Sequence, residues 1–142
     1  MDKITHKRAA EMHYNIAGNY HIGFVSAKDS EKKANMVVAA QNYFYCIINL
    51  IEMVFAKSNE HSFNHENRYR KITEKNALFS SEFKNLFNEV DRDLRNKVAY
   101  RAENGRKYQI IKNLADLAMK ELNNSEEITF ENNSSEGKTD EN

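Results

Sequence analysis

Apolar residues recur along this chain at three- and four-residue steps, the period of amphipathic helices. From about Thr5 to Ala27, the positions Ala9, Met12, Ile16, Tyr20 and Phe24 fall on one face and predict a first helix. Asp29 or Ser30 is then placed to offer a side-chain oxygen to the free N–H groups of a second helix, expected to reach Lys57. Between Tyr43 and Ala56 that helix is apolar almost all round, broken by Asn49 and Glu52. A membrane span needs about 20 apolar residues. This run is shorter and interrupted, so it predicts a central helix covered on several sides.

Ser58 to Asn64 is polar and aperiodic and reads as a loop, followed by a short helix from about His65 to Lys75. Ser80 or Ser81 caps the next helix, whose stripe runs through Phe79, Phe83, Leu86, Phe87, Val90, Leu94 and Val98. Asn104-Gly105 is the strongest turn signal in the chain. Beyond it, Tyr108, Ile111, Leu114, Ala118 and Leu122 mark a last helix. These elements predict an all-α fold, an up-and-down four-helix bundle with an additional short helix between the second and third long ones.

Composition agrees with this picture. The chain has 142 residues, no proline and four glycines, too few turn-formers for a β-rich fold of this size. That length suits one domain and can bury a core without disulfides or metals. From Asn123 the period is lost and Asn, Ser and Glu dominate, which predicts disorder. The expected division is a helical domain over residues 1–122 and a disordered acidic tail over 123–142.

Charge sharpens that boundary. The net charge is +0. The tail, however, holds six acids (Glu126, Glu127, Glu131, Glu136, Asp140 and Glu141) and one base, Lys138, a net of −5 that leaves the body at +5. A mildly basic body favours polyanions without establishing nucleic-acid binding. The tail reads as a solubilising segment or as an electrostatic mimic of nucleic acid that folds over the body.

The single cysteine, Cys46, excludes a disulfide framework and any cysteine-based zinc site, and its apolar setting predicts a buried small hydrophobe. The first eight residues have no apolar stretch after their charges, so no signal peptide is expected. A cytoplasmic protein without membrane contact is the expectation. No glycine-rich phosphate loop, Ser/His/Asp set or CxxC is present, and no cofactor is expected. His61 and His65 have the i, i+4 spacing of helical metal ligands, but no carboxylate motif joins them, and no metal is expected. His6, His13 and His21 read as surface or border residues of the first helix.

Two patches carry a family resemblance. The first is His61-Ser62-Phe63-Asn64-His65-Glu66-Asn67-Arg68, directly after the apolar helix. The second is Leu86 followed by Leu94-Arg95-Asn96-Lys97-Val98-Ala99-Tyr100 at the end of the third long helix. In order and spacing they resemble the HEPN superfamily, over roughly Arg8 to Leu122. The resemblance implies a helical bundle that commonly forms two-fold dimers. Many members are metal-independent ribonucleases with an Arg, often an Asn, Asp or His next to it, and a His four to six residues on. Arg95-Asn96 matches the first half. The second half is absent, because the chain has no histidine after His65, and Tyr100 stands at the shortest spacing.

That departure has a chemical meaning. Histidine transfers protons near neutral pH, whereas tyrosine, with a pKa of about 10, is a poor base. Arg95 retains a planar fork suited to phosphate. Arg95, Asn96 and Tyr100 are therefore the candidate catalytic residues. Arg68, Arg92, Lys97, Arg101, Arg106 and Lys107 are the candidate RNA-binding ones.

Each has a plainer reading. Arg95 stands one turn beyond Asp91 and fits an i, i+4 ion pair there. Tyr100 fits a packed aromatic with a bonded hydroxyl. The basic clusters fit solvated faces, interleaved as they are with Glu66, Glu74, Asp91, Asp93 and Glu103. The function expected from the resemblance is an RNA-associated protein of a defence or toxin–antitoxin kind. It would be a homodimer that binds RNA or cleaves it weakly without metal. The alternative is a non-catalytic interaction module docking a partner protein such as a nucleotidyltransferase.

Overall fold

The helical periods become five α-helices, with no strand among the described residues. They are α1 (Lys3–Ser26), α2 (Asp29–Ala56), α3 (His65–Glu74), α4 (Ser81–Glu89) and α5 (Gly105–Ala118). Both α4 and α5 end in a wider π-helical turn, Val90–Leu94 and Met119–Asn123 respectively. The structure is a computed structural model and describes residues 2–26, 28–62, 64–75, 77–94 and 105–123.

Local chemistry explains most of the boundaries. Asp2 Oδ1 accepts from Thr5 N at 2.8 Å and starts α1, and this backbone bond lowers the Asp2 pKa. Asn64 accepts from Asn67 N at 2.8 Å to start α3, and Ser80 accepts from Phe83 N at 3.0 Å to start α4. The expected cap of α2 is corrected. The helix has already begun at Asp29, and Lys28 occupies the cap position with no side-chain bond. At the other end of α2, Glu60 N donates to Phe55 O and Asn59 N to Ala56 O, both at 3.0 Å, with Asn59 at φ 60°. This pair of bonds closes the last carbonyls of the helix, and asparagine is the non-glycine residue that best tolerates the left-handed backbone it requires.

Along their whole length α1 and α2 pack against each other. His6 Nδ1 donates to Asn49 Oδ1 at 3.0 Å, and His13 Nδ1 donates to Asn42 Oδ1 at 2.9 Å. The proton must sit on each Nδ1, because both asparagine amide nitrogens already donate at 2.9 Å to carbonyls one turn back, those of Tyr45 and Val38. The histidines are seven apart and the asparagines seven apart in the opposite sense, so the helices run antiparallel. Ala10 between these bonds and Ala17 just beyond the second, both fully buried, bring the backbones together. Gly23 does the same further along α1, where a Cβ would stand 2.7 Å from Asn35 Nδ2.

This seam corrects the expected face of α1. Met12, Ile16 and Tyr20 are exposed, Ala9 is half-buried, and the Phe24 side chain lies outside the described residues. The buried face is instead His6, Ala10 and Ala17, with Tyr14 packed at its border. The three histidines are not bystanders: each makes an interhelical hydrogen bond.

The rest of α2 behaves as its composition predicts. Tyr43, Phe44, Cys46, Ile47, Leu50, Ile51, Met53, Val54 and Phe55 are all buried. Measured by length and composition alone, the segment Glu31–Ala56 could cross a membrane, but 61% of its most apolar window is covered by the fold. Burial pushes the Cys46 thiol up to about 12, so it packs as a hydrophobe. From Phe55 in the C-terminal part of α2 a row of rings runs through Phe79, Phe83 and Phe87, with successive centroids 6.1, 5.4 and 6.1 Å apart. Tyr108, Ile111, Leu114, Ala118 and Leu122 of the last helix are buried, every one as its stripe predicts.

Candidate functional site

The candidate residues fall in two separate places. Arg92 stands exposed on the π turn that ends α4, and Arg106 and Lys107 stand on the first turn of α5. That π turn packs against α5, so these three basic residues flank the segment 95–104 from its two sides. Arg95, Asn96, Lys97, Tyr100 and Arg101 belong to that segment and lie outside the described residues, as does any ion pair of Arg95 with Asp91.

Arg68 lies elsewhere, on α3. Its Nε donates to Glu52 Oε2 at 3.2 Å, and the two side chains are only 14% and 10% exposed. Glu52 also accepts from Ser62 N at 3.2 Å and from the Ser62 hydroxyl. The carboxylate that interrupts the apolar run of α2 thus gathers three donors and ties the following loop and α3 to the core. His61 is exposed beside this network, its ring 6.5 Å from that of His6. Arg68 therefore serves the core, and it is not part of the basic group around Arg92.

Nearby, Glu60 accepts from Lys71 at 2.7 Å and Lys75 at 2.9 Å, and these two bonds hold its carboxyl down at about 2. The cluster of bases around Arg70 and Lys71 is thus partly committed to acids of the same surface, including Arg70 to Glu74 at 3.6 Å.

A further polar group escapes sequence reasoning. Tyr14 donates to Asp116 at 2.6 Å, and Lys112 donates to the same carboxylate at 2.9 Å while lying 6.0 Å above the Tyr43 ring. His21 Nδ1 and the Tyr108 hydroxyl are 2.8 Å apart, with their rings stacked. Burial raises all three tyrosines, Tyr43 to about 12 and Tyr14 and Tyr108 further. Burial, then the Lys112 charge, lowers His21. None of the tyrosines can act as a base near neutral pH, whereas His21 stays neutral there. No local spacing marks this group, because its members come from three helices.

Among the described residues no group of three or more His, Cys, Asp or Glu side chains is arranged to hold a metal ion. A shallow groove of about 460 Å³ runs between α4 and α5, floored by Leu86, Ile110 and Leu117 and edged by Glu82 and Lys120. No family model matches this chain, and no curated protein or solved structure matches it at a significant level.

Proposed function

We propose that this chain is a HEPN-type protein that associates with RNA at the basic end formed around Arg92, Arg106 and Lys107. In this reading its helices form an up-and-down bundle of four long helices and one short one, and it acts in the cytoplasm in a defence or toxin–antitoxin role. The observation that carries the proposal is the position of these three bases on both stems of the segment that contains Arg95-Asn96 and Tyr100. Basic residues contributed by two neighbouring elements suit a phosphate backbone. Arg95 would hold a phosphate through its fork, Asn96 would orient it, and Lys97 and Arg101 would add charge. Cleavage would need a proton-transfer group that Tyr100 supplies poorly, so the activity is binding, or weak metal-independent cleavage.

The test is binding of labelled single-stranded RNA across a salt series, for the wild type and for Arg92→Ala/Arg106→Ala/Lys107→Ala. Affinity should fall in the variant, and the dependence of log K on log salt should flatten by about 0.7 for each phosphate that is no longer neutralised. Identical binding by both proteins, or no binding at low salt, would refute it. A parallel cleavage assay with Arg95→Ala separates binding from catalysis: product formed equally by both proteins removes Arg95 from any catalytic role. A second reading, a non-catalytic module that docks a partner protein such as a nucleotidyltransferase, draws support from the apolar-floored groove between α4 and α5. Recovery of one stoichiometric protein partner, abolished by Leu86→Glu, would favour it.

A further inference from the structure

The chain leaves the described fold at a fixed point. Asn123 is buried; Lys7 Nζ donates to its Oδ1 at 3.0 Å, and its Nδ2 donates to Glu11 at 3.3 Å. Two residues earlier, Glu121 accepts from the Ser80 hydroxyl at 2.8 Å. That bond joins the end of the last helix to the start of α4, and the π turn after α4 packs on α5, so the two helices run antiparallel. The groove between them therefore opens beside the exit point. Glu82 and Lys120 edge its near end, and Leu117, Leu86 and Ile110 follow along its floor. These three aliphatic side chains pack on the core and yet stay half-buried. Past Ile110 stand Lys107 and Arg106, and past Leu86 stands Arg92.

We propose that residues 124–142 lie back along this groove, with Ile128 and Phe130 on its apolar floor and the last acids over Arg92, Arg106 and Lys107. The lengths agree. Leu117 and Ile110 lie about 9 and about 20 Å back from Asn123 along the helix. Extended chain advances about 3.3 Å per residue. With roughly two residues spent on the turn, Ile128 comes level with Leu117, and Phe130 comes level with the turn between Asn113 and Ile110. Positions 128 and 130 share one face of an extended segment, so both meet the floor while Thr129 and Glu131 face water.

The charges agree as well. The segment carries −5 and the body +5. Glu82 and Asp116 on the groove rim repel an acid, and Ile128-Thr129-Phe130 brings none. Asp116 is in addition held by Lys112 and Tyr14. Glu126 and Glu127 fall on the turn, beside Lys120 and Glu82. Past Phe130 come Glu131, Glu136, Asp140 and Glu141 against Lys138 alone, at the end where the three bases stand. A separate protein is a poorer occupant. A standard complex buries about 800 Å² on each partner, far more than three half-buried side chains supply. A tethered segment starts at an effective concentration of about a millimolar, so it needs much less contact. The docking stands apart from the RNA reading; only its effect on RNA rests on that reading.

Methyl NMR of the full chain tests the docking. Cross-relaxation should link the Phe130 ring to methyls of Leu86, Ile110 or Leu117. Ile128→Ser/Phe130→Ser, which leaves the net charge unchanged, should shift these methyls and leave those of the buried Ile47 and Leu50 in place. Absence of the contact, or groove methyls indifferent to the variant, overturns the proposal. A contact found only between differently labelled copies overturns it too, by giving the groove to a neighbour's segment. Covering of the basic end is read with labelled single-stranded RNA. If the segment is docked about nine-tenths of the time, the variant should bind about tenfold more tightly at low salt, and the gap should close as salt rises. Equal affinities beside an intact groove contact overturn the covering. RNA bound by neither protein, beside an intact contact, refutes the RNA reading and upholds the docking.

Discussion

Helix α2 is held from two sides by opposite means. On the α1 side, the partners include alanines, a glycine and two His–Asn hydrogen bonds, and among the described side chains of α1 no large apolar one is fully buried. On the α3–α4 side, Phe55 of α2 meets Phe79 edge-on, and Phe83 and Phe87 stack onward from Phe79; three of these four rings are fully buried and Phe79 nearly so. Each buried ring removes enough apolar surface from water to contribute roughly 1.5–3 kcal/mol, whereas a hydrogen bond nets about 1 kcal/mol. The lesson is a division of labour. The aromatic row supplies stability in bulk, and the seam supplies close approach and alignment at little energetic gain.

The largest effect should come from the aromatic row. Phe83→Ala is expected to cost about 3–5 kcal/mol in urea unfolding, since the cavity lies between two other rings. An equal loss from any seam substitution would break the contrast. Next comes Glu52→Ala, which leaves Arg68 largely buried without its carboxylate, at about 2–3 kcal/mol. Glu52→Gln should recover part of that loss by keeping an acceptor for Ser62.

At the seam the expected numbers are smaller. A double-mutant cycle of His13→Ala and Asn42→Ala should give a coupling of about 0.5–1.5 kcal/mol, read from denaturation midpoints. A coupling near zero would remove the hydrogen bond from the account of the seam. The smallest effect is pH-dependent. His21 has a folded pKa below its ordinary 6.5, so its stabilising contribution is complete above pH 6.5 and is lost as pH falls through the lowered value. Wild-type stability should decline between pH 7.5 and 5, and His21→Asn should decline less. Parallel pH curves would show that His21 titrates as it does in the unfolded chain.

What the sequence reveals differs between these same regions. Hydrophobic periodicity locates the starts of all five helices to within a few residues, while the expected end of the third long helix, through Val98 and Tyr100, lies outside the described residues; it also identifies the buried residues of α2, α5 and the described part of α4, where large apolar side chains point inward. It fails on α1. The more apolar stripe there, through Met12, Ile16 and Tyr20, is exposed, while small and hydrogen-bonding residues are buried. Hydrophobicity measures transfer from water, and it gives no weight to an alanine that lets two backbones approach or to a histidine whose partner is 43 residues away. The same limit applies to the Tyr14–Asp116 and His21–Tyr108 pairs, 102 and 87 residues apart. For Arg68 the sequence displays a base, and only the fold reveals that Glu52 engages it.

The heptad spacing at the seam has a consequence for how the hairpin finds its alignment. Asn35, Asn42 and Asn49 repeat every seven residues, as do His6 and His13, and Ala10 and Ala17. If α1 slid by one repeat, His6 would face Asn42 and His13 would face Asn35, with an alanine again at each close approach. The hydrogen-bonding marks of the two helices are thus nearly equivalent in either setting, like a ruler with repeated marks. The zero is set first by the short connection from Ser26 to Asp29, because a slide of about 10 Å would force the adjoining helix ends to unwind. The last helix sets it a second time: the slide would carry Tyr14 away from Asp116 to the level of Tyr108, and Lys7 away from Asn123.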